Sequence, residues 1–308
     1  MDLRQLRYLI GVGEAGSLLK AAGQLHVAQP ALSQHMAALE AELGVQLFTR
    51  SSRGMELTSA GRTLLEHARV ILSDVERAKS AVRHTGAELI GEVVLGLPTT
   101  VALVATLPIL AEARRRHPQV MLRLVESHSG YLKEWLQAGR LDLSVLFAMQ
   151  QEPWLAQRAV LSEKLCLVGS TQGKETALPR QTALKDLQRF PLLLPGRDHG
   201  LRRIIDDACL SEGVSLQVIA EVDSLPNIKK AVEAGMAYTI LSPGAVADEV
   251  AQGRLNASTL KRPTISRTVV CATSLTRPLT PAAAAIVEMV IETVRDLVST
   301  RRWPAVLQ

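Results

Sequence analysis

Aromatic residues are scarce in this chain: three Trp, three Tyr and three Phe in 308 residues. So few rings cannot line a groove for single-stranded nucleic acid, where successive bases need stacking partners. Cysteine is sparse too. Cys166, Cys209 and Cys271 stand far apart, with no CxxC pair among them. That argues against a disulfide framework and against a structural metal site, and each thiol is expected to be a small core residue in a reducing compartment. No apolar run is long enough to span a bilayer. No signal segment opens the sequence, since Arg4, Arg7 and Glu14 interrupt its apolar stretch. A cytoplasmic setting without membrane contact is the expectation.

Enzyme signatures are missing as well. There is no GxSxG, HExxH or Walker loop. Gly11-Val-Gly13-Glu-Ala-Gly16 spells GxGxxG, but the stretch 28–43 reads as helix. No second strand can then present the acid that a dinucleotide ribose needs. Ser17 and Lys20 spell SxxK, with no SDN or KTG partner. The seven histidines are scattered. His26 and His35 belong to the helix pair described next, His128 and His199 are placed to line a cleft, and a surface or capping role is the plain reading of each. No cofactor, metal or catalytic residue is expected.

What remains is ordinary globular chemistry, 47% apolar and 21% charged, with length enough for two or three domains. Net charge is +5, compatible with an anionic partner. The first sixty residues are balanced, with Arg4, Arg7, Lys20, Arg50 and Arg53 against Asp2, Glu14, Glu40, Glu42 and Glu56. Any case for nucleic acid there rests on where the charges sit.

Residues 17–43 read as two short helices around a turn at His26-Val27. Ser17 is a good N-cap. Leu18, Ala21, Ala22 and Leu25 form one apolar stripe, and Leu32, Met36, Leu39 and Leu43 form another that should face inward. Gln29-Pro30 opens the second helix, where proline is tolerated. Gln29, Ser33 and Gln34 lie on the opposite face near its start, the end that a recognition helix pushes into the major groove. A small helical bundle with a polar face fits the periodicity equally well. Residues 45–58 then read as strand, turn, strand, with Arg50 and Arg53 at the turn, suited to phosphate or the minor groove.

The string AAxxLHxAQPALSxHMxxLExELGxxLFxRxxRGxxLTxAG, from Ala21 to Gly61, resembles the winged helix-turn-helix of LysR-type transcriptional regulators. The likeness runs from Leu3 to about Ala68. It implies DNA contacts at Gln29, Pro30, Ser33, Gln34, Arg50 and Arg53, with Ser17, Lys20 and His35 in the same DNA-facing set. Two departures stand out. Ala28 replaces the usual serine, removing an N-cap, and Leu18-Leu19 replace an aromatic and a small polar residue. The strings SGYL at 129–132, EWL at 134–136, GRLDL at 139–143 and PLLLPGRDHGLR at 191–202 are similar to the subgroup containing nitrogen-assimilation regulators.

From residue 63 to 82 the apolar positions Leu64, Ala68, Ile71, Val75, Ala78 and Val82 follow a heptad seam. Packing on its own domain is one reading. A two-chain seam is the preferred one, because one recognition helix usually needs a twofold partner. Residues 84–88 read as a hinge. Beyond it, strands at 92–97, 120–125 and 141–147 alternate with helices at 101–117 and 131–138. This predicts a parallel sheet with helices on both faces. A second alternation follows: strand 163–169, helix 182–188, strand 191–194, helix 199–212, strand 216–222, helix 224–234, strand 237–241 and helix 244–252. Strand 267–273 and helix 281–299 close the chain.

Ligands of such sheets bind beyond the strands' carboxyl ends. Thr99, Thr100, Ser129, Gly130 and Phe147 in one lobe and Arg197 in the other are the candidate effector contacts. The hydroxyls and helix N-termini suit a small polar or anionic molecule. Plain helix capping by Thr and Ser, and a surface arginine, are the bland alternatives.

The resemblance implies four parts. An all-α winged helix-turn-helix spans residues 1–60, and a linker or dimerisation helix with its hinge spans 61–90. A C-terminal α/β two-lobed domain resembling periplasmic solute-binding proteins has lobe 1 at 91–161 and 267–308 and lobe 2 at 162–266. The implied partners are double-stranded DNA, an effector, a second copy as homodimer or homotetramer, and RNA polymerase. Two rivals remain: a cytosolic dehydratase-like enzyme drafting Glu126 or Asp223, and a solute-binding protein. Neither explains the helix-turn-helix.

Overall fold

A computed structural model describes residues 1–51, 54–83, 89–172 and 178–308, and of residues 50–51 and 80–83 the backbone alone. The chain forms two compact units, residues 1–85 and 86–308.

In the first unit, α1 (Leu3–Ala15) opens on a capping box. Asp2 accepts from the Gln5 N–H, and the Gln5 side chain returns to the Asp2 N–H. The helix ends on Gly16 at φ 60, the left-handed conformation that costs glycine no Cβ strain. The last glycine of the formal GxGxxG is thus a helix stop. Helices α2 (Leu18–Gln24) and α3 (Gln29–Leu43) follow, with His26 at φ 53 in the turn. Leu6, Leu9, Val12, Ala21, Ala22, Leu32, Met36 and Leu39 make the core. Leu43, expected to face inward, is 39% exposed, because the last turn of α3 runs past that core.

The expected wing is an antiparallel ribbon of β1 (Phe48–Ser51) and β2 (Gly54–Leu57). Helix α4 (Ser59–Arg83) starts four residues before the heptad pattern does. The first half of that pattern needs correction. Leu64, Ala68 and Ile71 pack on the core of this same unit, with Ala68 fully buried. Beyond them Val75 is half-buried and Ala78 exposed. The side chain of Val82 and the hinge at 84–88 lie outside the described residues.

The second unit begins as expected: β3 (Gly91–Pro98), α5 (Thr99–Arg116), β4 (Val120–Ser127), α6 (Ser129–Gln137) and β5 (Leu143–Phe147). Strand β3 is parallel to β4 and β5. No helix follows β5. An unforeseen strand, β6 (Leu155–Lys164), comes next, then β7 (Cys166–Ser170). The strand expected at 163–169 is therefore the end of one and most of the other, broken at Leu165. Then come β8 (Gln181–Ala183), a 3-10 helix at 184–189 in place of the helix expected at 182–188, β9 (Pro191–Leu194) and α7 (Gly200–Ser211). Next are β10 (Gln217–Glu221), α8 (Leu225–Glu233), β11 (Thr239–Leu241), a 3-10 turn at 243–246 and α9 (Ala247–Ala251). The unit closes with β12 (Leu255–Lys261), also unforeseen, then β13 (Ser266–Ser274), α10 (Pro281–Ser299) and β14 (Val306–Leu307).

The sheets are mixed rather than parallel. The first has the order β14-β6-β13-β5-β3-β4, with β13 antiparallel to both β5 and β6. The second has the order β11-β7-β12-β8, beside a parallel β9–β10 pair. Helices do cover both faces of the first sheet. Val101, Ala105 and Ile109 of α5 and Ile286, Val290 and Val294 of α10 share one core, and Leu132 and Leu136 of α6 build another with Leu146 and Val270. The second sheet has its own core, centred on Leu167, Leu192, Ile205, Ile228 and Ile240. Residues 165–265 form lobe 2 as one continuous insert between β6 and β13. Its two ends touch, with the Leu165 N–H donating to the Ile265 carbonyl at 2.8 Å.

Candidate functional sites

In the first unit the leading turn of α3 is open. Gln29, Pro30 and Gln34 are exposed, and Ser33 is half-buried. Ala28 stands at the N-cap and makes no side-chain bond, so the first N–H groups of α3 keep no internal partner from that side chain. Ser17 caps α2 by accepting from the Lys20 N–H at 3.5 Å. Lys20 is exposed and enters no ion pair among the described residues. His35 is half-buried and meets Tyr8 edge-on at 5.2 Å between ring centres, a packing contact. Arg50 lies on β1 opposite Met55 in the ribbon register; its side chain and all of Arg53 lie outside the described residues.

The balanced charge of this unit resolves in its geometry. Asp2 caps α1, and Glu40 accepts from the Leu47 and Phe48 N–H groups. Glu42 pairs with the chain's amino group, and Glu14 with Arg69. Those acids are held by partners within the unit, away from the open turn of α3.

In the second unit the site is built where three helices begin. Helix α5 starts at Thr99 and α6 at Ser129, each two residues earlier than the sequence suggested. Thr99 and Ser129 are therefore first helical residues and not caps. The caps are Pro98 and His128, and neither makes a side-chain capping bond. In α7 the cap is His199, whose Nδ1 accepts from the Leu201 N–H at 3.1 Å. The two lobes meet at these ends. The rings of His128 and His199 lie 4.6 Å apart, and a Cβ built on Gly200 would stand 4.0 Å from that of Ser129. Burial, then the neighbouring His128 and Arg267, drive the His199 imidazolium down to about pKa 4, against the opposite pull of Asp223.

Beneath lies a buried network whose central pair, Arg267 and Glu163, the sequence reading missed. Arg267 and Glu163 face each other directly in the β13–β6 register and are 4% and 1% exposed. Arg267 Nε donates to Glu163 Oε1 at 2.7 Å, and Nη2 lies 2.6 Å from the same oxygen within the ion pair. Trp303 Nε1 donates to Glu163 Oε2 at 2.8 Å. Arg267 Nη2 also donates to Thr100 Oγ1 at 3.0 Å and, in lobe 2, to Ser242 Oγ at 3.3 Å. The guanidinium carbon sits 3.7 Å from the centre of the Phe147 ring. Arg267 Nη1 is buried and has no partner.

Of the expected effector contacts, the fold gathers Thr100 and Phe147 on Arg267 and sets Ser129 against the α7 terminus. Thr99 is half-buried at the first position of α5, and Gly130 is exposed on α6. Arg197 lies elsewhere. It is exposed and borders a separate groove of about 580 Å³ with Arg202, Asp206, Leu210, Ile219 and Glu221. The acids drafted for a dehydratase, Glu126 and Asp223, are both exposed, and Asp223 accepts from the Gly196 N–H at 3.0 Å. The three thiols are buried. Burial raises all three and pushes Cys209 up to about 11 and Cys271 to about 12, so none is a thiolate at neutral pH. Among the described residues no helix is long and apolar enough to cross a membrane.

Comparisons with known proteins agree with both halves. The bacterial regulatory helix-turn-helix family of lysR type matches residues 3–62, and the LysR substrate binding domain matches residues 86–295. The nitrogen assimilation regulatory protein nac of Klebsiella aerogenes is 34% identical over 297 residues, 96% of this chain and 95% of that one. Its namesake in Escherichia coli (strain K12) is 32% identical over 311 residues, 99% of this chain and 100% of that one. A solved structure of full-length CbnR complexed with its target DNA matches with a TM-score of 0.74 at 25% identity, covering 95% of this chain and 100% of that one.

Proposed function

The chain belongs to the LysR family of DNA-binding transcriptional regulators, and on that premise we propose how its two units divide the work. It is a regulator and not an enzyme. It is similar to nitrogen assimilation regulators, and a cytoplasmic location fits that role.

The first unit reads DNA with Gln29, Ser33 and Gln34 at base edges. Pro30, Ser17, Lys20 and the wing arginines Arg50 and Arg53 hold the backbone or minor groove, and His35 supports the helix that presents them. The carrying observation is the exposed, uncapped first turn of α3, whose N–H groups suit a phosphate. A cognate site selected from a random duplex pool supplies the test. Gln29→Ala should cost about 1–3 kcal/mol on that site and relax the base preference there. Arg50→Ala should weaken all duplexes alike and lower the salt slope by about 1. Equal loss on every sequence for Gln29→Ala would refute the base-reading role.

The end of α4 beyond Ile71 pairs with a second copy, giving a homodimer or a homotetramer built from dimers. Val75, which continues the heptad seam past the residues that pack on the local core, supports this. Val75→Glu sets two like charges against each other across a twofold axis. Sedimentation of a fragment spanning 1–90 should show a monomer for the variant and a dimer for the parent. Self-association at parental strength would move the seam elsewhere. RNA polymerase is the expected downstream partner.

The second unit senses a small polar molecule between its lobes. Three helix N-termini and the Thr100–Arg267–Ser242 bridge support that reading, because the bridge joins the lobes where a ligand would hold them. Thr99, Ser129, Gly130 and Phe147 line the same region in lobe 1. Arg197 takes part only if the loop at 195–199 rearranges on binding.

A further inference from the structure

We infer that the effector is a small carboxylate and that Arg267 is its anchor; this rests on the inter-lobe sensing site proposed above. Both carboxylate oxygens of Glu163 already accept within the buried network. Glu163 Oε1 accepts from Arg267 Nε with Nη2 beside it in the ion pair, and Glu163 Oε2 accepts from Trp303. The donors are in surplus. Arg267 Nη1 carries two N–H bonds that no protein atom receives, in a place closed to solvent. Thr100 and Ser242 accept from Arg267 Nη2 through their hydroxyl oxygens. Their own O–H hydrogens are therefore free to donate elsewhere. The unused donors, the Nη1 N–H bonds and the two hydroxyls held on Nη2, thus gather around one guanidinium.

A guest that satisfies these donors must bring acceptors. A carboxylate does so with two oxygens in the spacing that a guanidinium fork matches. A neutral amide or alcohol brings one oxygen and no charge, so it neither spans the fork nor offsets the buried cation. The surrounding field agrees. The α5 and α6 N-termini lack side-chain caps, so their partial positive charge is not spent on a neighbouring oxygen. Phe147 covers one face of the guanidinium and leaves the edge as the direction of approach. Thr100 comes from lobe 1 and Ser242 from lobe 2, so a carboxylate held by both closes the cleft by the same bonds that recognise it.

The full chain is titrated with succinate and with succinamide at matched ionic strength, by calorimetry and by thermal shift. Succinate should bind and raise the melting midpoint, and succinamide should do neither. Arg267→Lys keeps a cation for Glu163 but removes the free Nη1 donors. It should weaken succinate roughly tenfold or more while circular dichroism stays that of the parent. Thr100→Val should weaken succinate severalfold. If Ser129→Ala or Thr100→Val weakens binding and a folded Arg267→Lys does not, the inter-lobe site stands and the anchor is wrong. If succinate binds and none of the three substitutions matters, the inter-lobe site falls with it. If succinate does not bind, the carboxylate class is overturned.

Discussion

Replacing Glu163 with glutamine should destabilise the second unit by about 3–5 kcal/mol, the usual cost of orphaning a charge in a buried pair. Arg267 is 4% exposed and relies on Glu163 as its counter-charge. Burial already pulls its proton affinity down from the ordinary arginine value, and Glu163 opposes that pull. The measurement is convenient, because Trp135, Trp154 and Trp303 all lie in this unit and tryptophan emission in urea reports on it alone. Glu288→Gln is the control. It breaks an ion pair with Arg158 whose partners are 57% and 52% exposed, and should cost no more than about 1 kcal/mol. Adding Arg267→Met to Glu163→Gln should recover part of the loss, since the orphaned charge leaves with it. Equal costs for Glu163→Gln and Glu288→Gln would contradict the picture of a dry, mutually dependent pair.

Acid should loosen the same unit at His199. Its imidazolium is suppressed to about pKa 4, against 6.5 for an unperturbed histidine. Between those two values the unfolded chain binds a proton that the folded chain refuses, so stability falls as pH falls. The contribution is whole above about pH 6.5, shrinks through the interval and is lost below about pH 4. At roughly 1.4 kcal/mol per pH unit it amounts to about 3 kcal/mol. His128, Arg267 and Arg203 act against the proton, and Asp223 favours it. His199→Asn keeps an acceptor for the Leu201 N–H and cannot titrate. Urea midpoints measured from pH 7 to pH 4 should be flatter for this variant than for the parent. An unchanged slope would assign the acid sensitivity to other groups.

The helix pair of the first unit was legible because its signals are local. Ser17, His26, Pro30 and Gly44 mark ends and turns within a few residues of the helices they bound. The heptad at 63–82 misled in its first half for an equally physical reason. A residue such as Ala68 shows the same spacing whether it packs on its own domain or on another chain, and periodicity carries no information about which surface covers it. Leu64 and Ile71 follow Ala68 into the local core.

In the second unit the first three strands could be read because each is followed by a helix. Strand β6 could not, because its alternation is broken. A register shift opposite Val269 and Val270 sets Ala159 and Leu161 out of step, and Arg158, Glu163 and Lys164 give the segment a surface look. The same cause hid the most consequential pair. Arg267 and Glu163 stand 104 residues apart, and only the β13–β6 register makes them neighbours. A charged residue at a strand end reads as solvated until its partner is known. The only trace in the sequence is Arg267 at the head of the apolar run Val269-Val270-Cys271-Ala272. Thr99 and Ser129 are expected as effector contacts on a wrong boundary. Their helices begin two residues early, which turns two expected caps into first-turn residues and leaves the termini bare.

The second lobe is a parenthesis in the chain. It opens after Lys164 and closes before Ser266, and those two residues already face each other as partners in the β6–β13 ladder. Removing everything between them would leave two antiparallel strands needing only a tight hairpin to join them. Lobe 1 would keep its six-stranded sheet, with both ends of the unit still attached to it. The lobe could therefore be gained, lost or exchanged in ancestry without disturbing the remaining topology. A chimera carrying a foreign lobe at this junction inherits a ready-made splice, and the swap would have to restore a partner for Arg267 where Ser242 now stands.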